Sequence, residues 1–104
     1  MEEFGDYQVT ILQCADDDIK ALRRWIAEEV FAPATADKYI AGIRSQITSL
    51  SFLGASYAIS QNPYIQKHYG PNARTIHYKK MTIVYSIAGN VVLVKRVMAS
   101  SLIR

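Results

Sequence analysis

Nine cationic side chains, Lys38, Arg44, Lys67, Arg74, Lys79, Lys80, Lys95, Arg96 and Arg104, follow Asp37, which is the last of the nine acidic residues in the chain. A field of one sign over two thirds of a protein draws in and neutralises an anionic partner. Nucleic acid, an acidic protein segment and an anionic membrane surface all satisfy that requirement, and charge alone does not choose among them. The overall balance of +3 and the pI near 9.1 understate the local field, because the acids cancel it only in the N-terminal third.

Two other features could do chemistry. Asp16-Asp17-Asp18 could ligate a hard cation or cap a helix N-terminus. With no second acidic cluster or His at ligand spacing, the helix start is the expected role, and no metal or cofactor is expected. Cys14 lies in an apolar run, so it reads as a small core residue rather than a nucleophilic thiol.

The elements that position these residues are set by the hydrophobic pattern. With 104 residues, half of them hydrophobic, residues 1–104 suffice for a single domain with one two-layer core. No apolar run approaches the roughly 18 residues of a membrane span, and Met1-Glu2-Glu3 is opposite in character to a signal peptide, so a cytoplasmic location and no membrane partner are expected. Alternation predicts a strand over Tyr7–Gln13. Ile19, Leu22, Ile26 and Val30 then recur at helical spacing, and Trp25 is expected in or beside that buried stripe. Pro33 opens a second helix, whose stripe runs through Ala36, Tyr39, Ile40, Ile43, Ile47 and Leu50, and the two helices form an antiparallel hairpin. Periodicity is lost from Gly54 to Ala73, a long connection whose Tyr57, Tyr64 and Tyr69 suggest packing on the body, with base stacking as the functional alternative.

A period of two returns at Arg74. It predicts strands through Arg74–Lys79, Thr82–Ile87 and Val91–Met98, with Lys79 and Lys80 at one turn and Ala88-Gly89-Asn90 at the next. The fold class is therefore α+β: an N-terminal strand, a two-helix antiparallel hairpin, then a three-stranded antiparallel meander. The helices pack on one face of a small sheet and leave the other available to basic residues. Lys95 and Arg96 are strand neighbours and point to opposite faces.

In this order and length the chain resembles the RelE/ParE superfamily of type II toxin–antitoxin toxins. The resemblance rests on Tyr7-Gln8-Val9-Thr10-Ile11, Ala15-Asp16-Asp17-Asp18-Ile19 and Pro33-Ala34-Thr35-Ala36-Asp37-Lys38-Tyr39. It is stronger over Arg74-Thr75-Ile76-His77-Tyr78-Lys79-Lys80-Met81-Thr82-Ile83-Val84-Tyr85-Ser86-Ile87 and Val91-Val92-Leu93-Val94-Lys95-Arg96-Val97. It implies a plasmid-stabilisation type of toxin that inhibits bacterial growth until a cognate acidic antitoxin neutralises it in a toxin–antitoxin hetero-oligomer. The implied target is DNA gyrase for a ParE-like member. For a RelE-like member it is the ribosome with its mRNA, where the protein is an endoribonuclease.

RNA cleavage needs a base for the 2′-OH, cations for the charged intermediate and an acid for the leaving oxygen. Arg74 corresponds to the superfamily's strand-leading arginine; His77, Lys79 and Arg96 complete the candidate nuclease set, with His68 as a second imidazole. The superfamily's nucleases often place a His or Tyr after the last strand, whereas Met98-Ala99-Ser100-Ser101-Leu102-Ile103-Arg104 has neither. That departure and the long helical hairpin favour the ParE-like reading, in which Arg74, Lys79, Lys80, Lys95, Arg96 and Arg104 bind the target or antitoxin. A relative that retains the fold without toxicity is the third reading.

Overall fold

A computed structural model describes residues 7–103. Arg104, one of the expected binding residues, lies outside the described residues. The chain forms β1 (Gln8–Ile11), α1 (Gln13–Arg24), a π-helical turn (Trp25–Glu29), α2 (Pro33–Leu53), a 3₁₀ turn (Gly54–Ser56), α3 (Pro63–Tyr69), β2 (Arg74–Tyr78), β3 (Met81–Ala88), β4 (Val91–Ala99) and a closing 3₁₀ turn (Ser100–Leu102). The sheet order is β1-β4-β3-β2, with an antiparallel β2-β3-β4 meander and β1 parallel to β4, Gln8 opposite Val91 and Ile11 opposite Val94.

The expected α+β order holds, and the two long helices cover one sheet face. Ala15 and Ile19 of α1, with Ile40, Ile43, Ile47 and Leu50 of α2, pack on Ile76, Ile83, Tyr85, Val92, Val94 and Val97. These helix positions recur at three- and four-residue steps, which puts them on one side of each helix. Pro33 occupies the first turn of α2, where its missing N–H leaves no bond unmade.

Three local readings are corrected. Strand β1 stops at Ile11, because Leu12 N–H still bonds Val94 O (2.9 Å) while Leu12 O already accepts from Asp16 N (3.0 Å) and starts the helix. The acidic triplet therefore lies inside α1 and is not its cap. Asp16 pairs with Lys20 at 3.0 Å one turn on, and Asp17 accepts from Gln13 Nε2 at 2.8 Å. Cys14 is exposed near the start of α1, so it is not a core residue. Trp25, expected in or beside the α1 stripe, lies at its edge and is 56 % exposed.

The aperiodic stretch from Gly54 to Ala73 contains a helix. Asn62 Oδ1 caps α3 by accepting from Tyr64 N (2.8 Å) and Ile65 N (3.2 Å), Pro63 sits in its first turn, and Gly70 ends it at φ +100°. Ile65 and Ala73 pack with Val84 and Met98, flanked by Tyr64, Tyr69 and Ile103, in a second core on the sheet face away from α1 and α2. That face is thus partly covered, not open to basic residues. The tyrosines of this stretch pack on the body as expected: Tyr57 against the main core, Tyr64 and Tyr69 against the second.

Gly42 shows how closely α2 approaches the sheet. A Cβ at this position would lie 2.0 Å from Tyr78 Oη and 2.2 Å from Cζ. Replacing a helix-interior glycine by alanine ordinarily gains up to about 1 kcal/mol. Here Gly42→Ala must expel the half-buried Tyr78 ring from its edge-on contact with Tyr39 (5.3 Å between centroids), so a net loss of about 1–2 kcal/mol is expected. In a Tyr78→Ala background the same change should be neutral or stabilising, and urea unfolding of the four proteins of this cycle measures the reversal of sign.

Candidate functional site

The second helix of the hairpin, the end of the first and the far end of the sheet enclose an open groove of about 730 Å³. Its walls come from Trp25, Ile26 and Val30 at the end of the first helical segment, Thr35 and Tyr39 of α2, Met81 of β3 and Ala99 of β4. Lys79, Lys80, Ser100 and Ser101 stand at one side. The lining is mainly apolar and the charges on that side are positive.

Ile19, Leu22 and Ile26 keep α-helical spacing on the core side, which leaves Trp25 at the edge of that stripe and facing the groove. Helix α1 widens after Arg24 into a π turn, with Val30 N bonded to Trp25 O at 3.3 Å and Ala32 N to Ile26 O at 3.2 Å. The wider turn begins at Trp25 and changes the angular step of the residues after it, so Val30, which helical spacing put on the buried stripe, is instead 48 % exposed at the groove. Helical spacing at 3.6 residues per turn gives no sign of such a widening. Lys79 also has an unusual backbone, φ +53°, in the two-residue link between β2 and β3. Its ammonium lies 5.7 Å from the centre of the Tyr39 ring and 5.6 Å from that of Tyr78, within reach of cation–π attraction. Lys79 and Lys80 thus occupy the turn expected of them and stay exposed at the groove rim.

The other candidates have partners elsewhere. Arg74 leads β2 and donates from Nη1 to the carbonyls of Tyr57 and, at 3.4 Å, Ala55, so it anchors the turn after α2. It lies at the end of β2 opposite Lys79. Beside it Tyr85 is fully buried, its hydroxyl donating to Gly54 O at 2.6 Å. Burial pushes the Tyr85 phenol up to about 12 from 10.0, against the opposing pull of the Arg74 charge.

Arg96 is held by Asp18 of α1, Nε to Oδ2 at 2.7 Å and Nη2 to Oδ1 at 3.1 Å, and Oδ2 also accepts from Val97 N at 2.9 Å. That hydrogen-bonded carboxylate raises the guanidinium pKa further, against the effect of burial. Lys95 donates to Tyr69 O at 3.1 Å, placing its charge on the C-terminal end of α3. The expected opposite facing of Lys95 and Arg96 is complicated by a register shift. Val84 faces Arg96 and Tyr85 faces Val94, which leaves Lys95 as the unpaired bulge residue.

The two imidazoles are on different elements. His68 is on α3, its ring 4.3 Å from Tyr64. His77 is exposed on β2, with Nδ1 3.0 Å from Thr82 Oγ1, which is in turn 2.7 Å from Ser100 Oγ. Thr82 is fully buried, so its hydroxyl is satisfied by these two neighbours. The structure therefore brings His77, Lys79 and Lys80 to one end of the sheet. It places Arg74 at the other end of β2 and binds Arg96 to α1. Among the described residues, no three His, Cys, Asp or Glu side chains gather as metal ligands, and no helix is long and apolar enough to cross a membrane.

No curated protein matches the chain significantly. Among solved structures, one titled "Chromosomal ParDE TA system from P. aeruginosa" superposes with a TM-score of 0.74, covering 91 % of this chain and 97 % of that chain at 16 % identity, a likeness of fold. A family model described as the ParE toxin of the type II toxin–antitoxin system parDE matches residues 9–101. With nearly the whole of the sheet and the helical hairpin inside that match, the chain belongs to the ParE toxin family of type II toxin–antitoxin systems.

Proposed function

We propose that this protein is a bacterial growth inhibitor that acts on DNA gyrase and is silenced by a cognate acidic antitoxin bound at the groove between the hairpin and the sheet. The observation that carries the reading is the groove itself: apolar walls with exposed Lys79 and Lys80 along one side. An amphipathic acidic segment meets both requirements, burying its apolar side chains against Trp25, Tyr39 and Met81 and setting carboxylates beside the ammonium groups.

The gyrase target is favoured over RNA cleavage by where the nuclease candidates lie. Arg74 is bonded to loop carbonyls and Arg96 to Asp18, so two of the expected phosphate-stabilising cations serve the fold. His77 and Lys79 remain, without the His or Tyr after β4 that the superfamily's nucleases often use.

Inducible expression in a bacterial host tests the target. Early loss of DNA supercoiling with messages intact is the expected result. Early codon-positioned cleavage of messenger RNA with supercoiling intact would replace the gyrase reading by the nuclease one, and an absence of growth inhibition would leave only the fold. Lys79→Glu combined with Lys80→Glu is expected to weaken antitoxin binding about tenfold at low ionic strength and less in high salt. Calorimetric titration at two salt concentrations measures it, and an unchanged affinity would move the antitoxin to another face.

A further inference from the structure

A chain of hydroxyls joins an exposed histidine to the cationic side of the groove. Ser100 follows β4 directly and lines the groove with Ser101, Lys79 and Lys80. Its backbone is fixed by Ser100 N donating to Lys80 O at 2.8 Å. Its Oγ lies 2.7 Å from Thr82 Oγ1, which lies 3.0 Å from Nδ1 of His77. Thr82 is fully buried and these are its side-chain partners among the described residues, so its one hydroxyl proton goes to His77 or to Ser100 and sets the direction of both bonds. A neutral ring that accepts at Nδ1 takes the Thr82 proton. Thr82 then accepts from Ser100, whose oxygen keeps only lone pairs for the groove. An imidazolium donates from both nitrogens and cannot accept. Thr82 must then donate to Ser100, and the Ser100 proton is released to the groove.

We propose that Ser100 is the donor that recognises a carboxylate of the groove's acidic occupant, and that His77 is its positioning residue, turning the Ser100 hydroxyl towards the groove through Thr82 when the imidazole is protonated. This role rests on the acidic-occupant reading of the groove and deepens it. A carboxylate accepts and never donates, so it gains from an outward O–H and is repelled by outward lone pairs. Lys79 and Lys80 select an acidic segment by charge, and Ser100 adds a directional bond beside them. The groups around His77 leave the decision to it. Lys79 and Lys80 of the adjoining link stay charged, α2 brings Tyr39 against Tyr78, and Tyr85 of β3 is buried. On β4, Lys95 is bonded to Tyr69 O and Arg96 to Asp18, the carboxylate that reaches this strand from α1. Helix α3 carries Lys67 and His68, and His68 stacks on Tyr64 of its own helix, outside the hydroxyl chain. His77 is thus the member of the chain whose charge changes near neutrality.

The probe is a synthetic amphipathic peptide with leucine on one face and aspartate on the other. It is titrated calorimetrically onto the full chain at about pH 5.5 and about pH 8, between which aspartate and lysine keep their charges. The wild type should bind about tenfold tighter at the lower pH. His77→Gln, which cannot become a cation, should lose that step. Thr82→Val keeps the His77 charge and the buried shape but cuts the chain, so it should retain only the part due to charge, about twofold. Ser100→Ala should match it, and being half-buried at the surface it carries the same comparison if Thr82→Val does not fold. Without any peptide, the NMR signal of Ser100 Cβ should titrate together with the His77 ring in the wild type and not in Thr82→Val. Thermal melting checks that each variant is folded. A wild type whose pH step is reproduced in full by folded Ser100→Ala, or a Ser100 signal that ignores the His77 titration, would overturn the proposal and leave the acidic occupant in place. A wild type that binds the peptide at neither pH would overturn the acidic-occupant reading and the proposal with it.

Discussion

Asp18→Ala should lower the unfolding free energy by about 3 kcal/mol, a large fraction of what a domain of this size has. The carboxylate satisfies two elements at once. Strand β1 pairs with β4 only as far as Val94, and beyond that point the Val97 N–H on the same strand is met by Asp18 Oδ2. Removing the carboxylate leaves that donor without its partner and the Arg96 guanidinium without its fork. The Arg96 part is discounted because its side chain is 38 % exposed and water screens the pair, so most of the loss belongs to the backbone donor and to α1 coming off the strand edge. Asp18→Asn keeps an oxygen for Val97 and should lose only about half as much. Urea unfolding of the two variants and the wild type separates these contributions. A loss below about 1 kcal/mol for alanine would mean that α1 is held by its apolar face alone.

Tyr85→Phe should destabilise the fold by about 1–2 kcal/mol at neutral pH, because it removes the donor that satisfies the buried Gly54 carbonyl. It should also change the response to alkali. The folded phenol titrates near 12 and the unfolded one near 10.0. Below the lower value both states hold the proton, and the stabilisation is present in full. Between the two values the unfolded chain loses its proton first and is favoured. The wild type therefore loses about 2 kcal/mol of this contribution by the upper end of that window. The phenylalanine variant has no phenol here to ionise, so its deficit at neutral pH should shrink across that window and close or reverse at its upper end. Denaturant midpoints across that interval measure the difference between the two proteins, and parallel curves would sink the burial argument.

What was legible in the sequence followed from how directly each pattern maps onto contacts. The α2 stripe from Ala36 to Leu50 keeps one period along one element, so its buried face can be read by counting. Helix α3 was written in plain capping signals, Asn62-Pro63 before it and Gly70 after it. It has a single buried position, Ile65, which is too few to show a period. Asp18 stayed hidden in a run of three identical residues. Residue type says that all three can bind a cation or a free N–H, and only the three-dimensional path of β4 selects one. The groove was half legible: Lys79 and Lys80 follow from the turn and Trp25 was expected in or beside the buried stripe, whereas the π widening that leaves Val30 exposed has no signature in hydrophobic spacing.

The parallel pairing of the first strand with the last governs how the chain is born. Gln8 finds its place only opposite Val91, so during synthesis the growing chain emerges with one sheet partner still unmade. Local helices can form early, but the four-stranded sheet closes only after β4 has left the ribosome. The complete fold therefore arises late, and a chain arrested before Val91 is left without the strand that β1 pairs with.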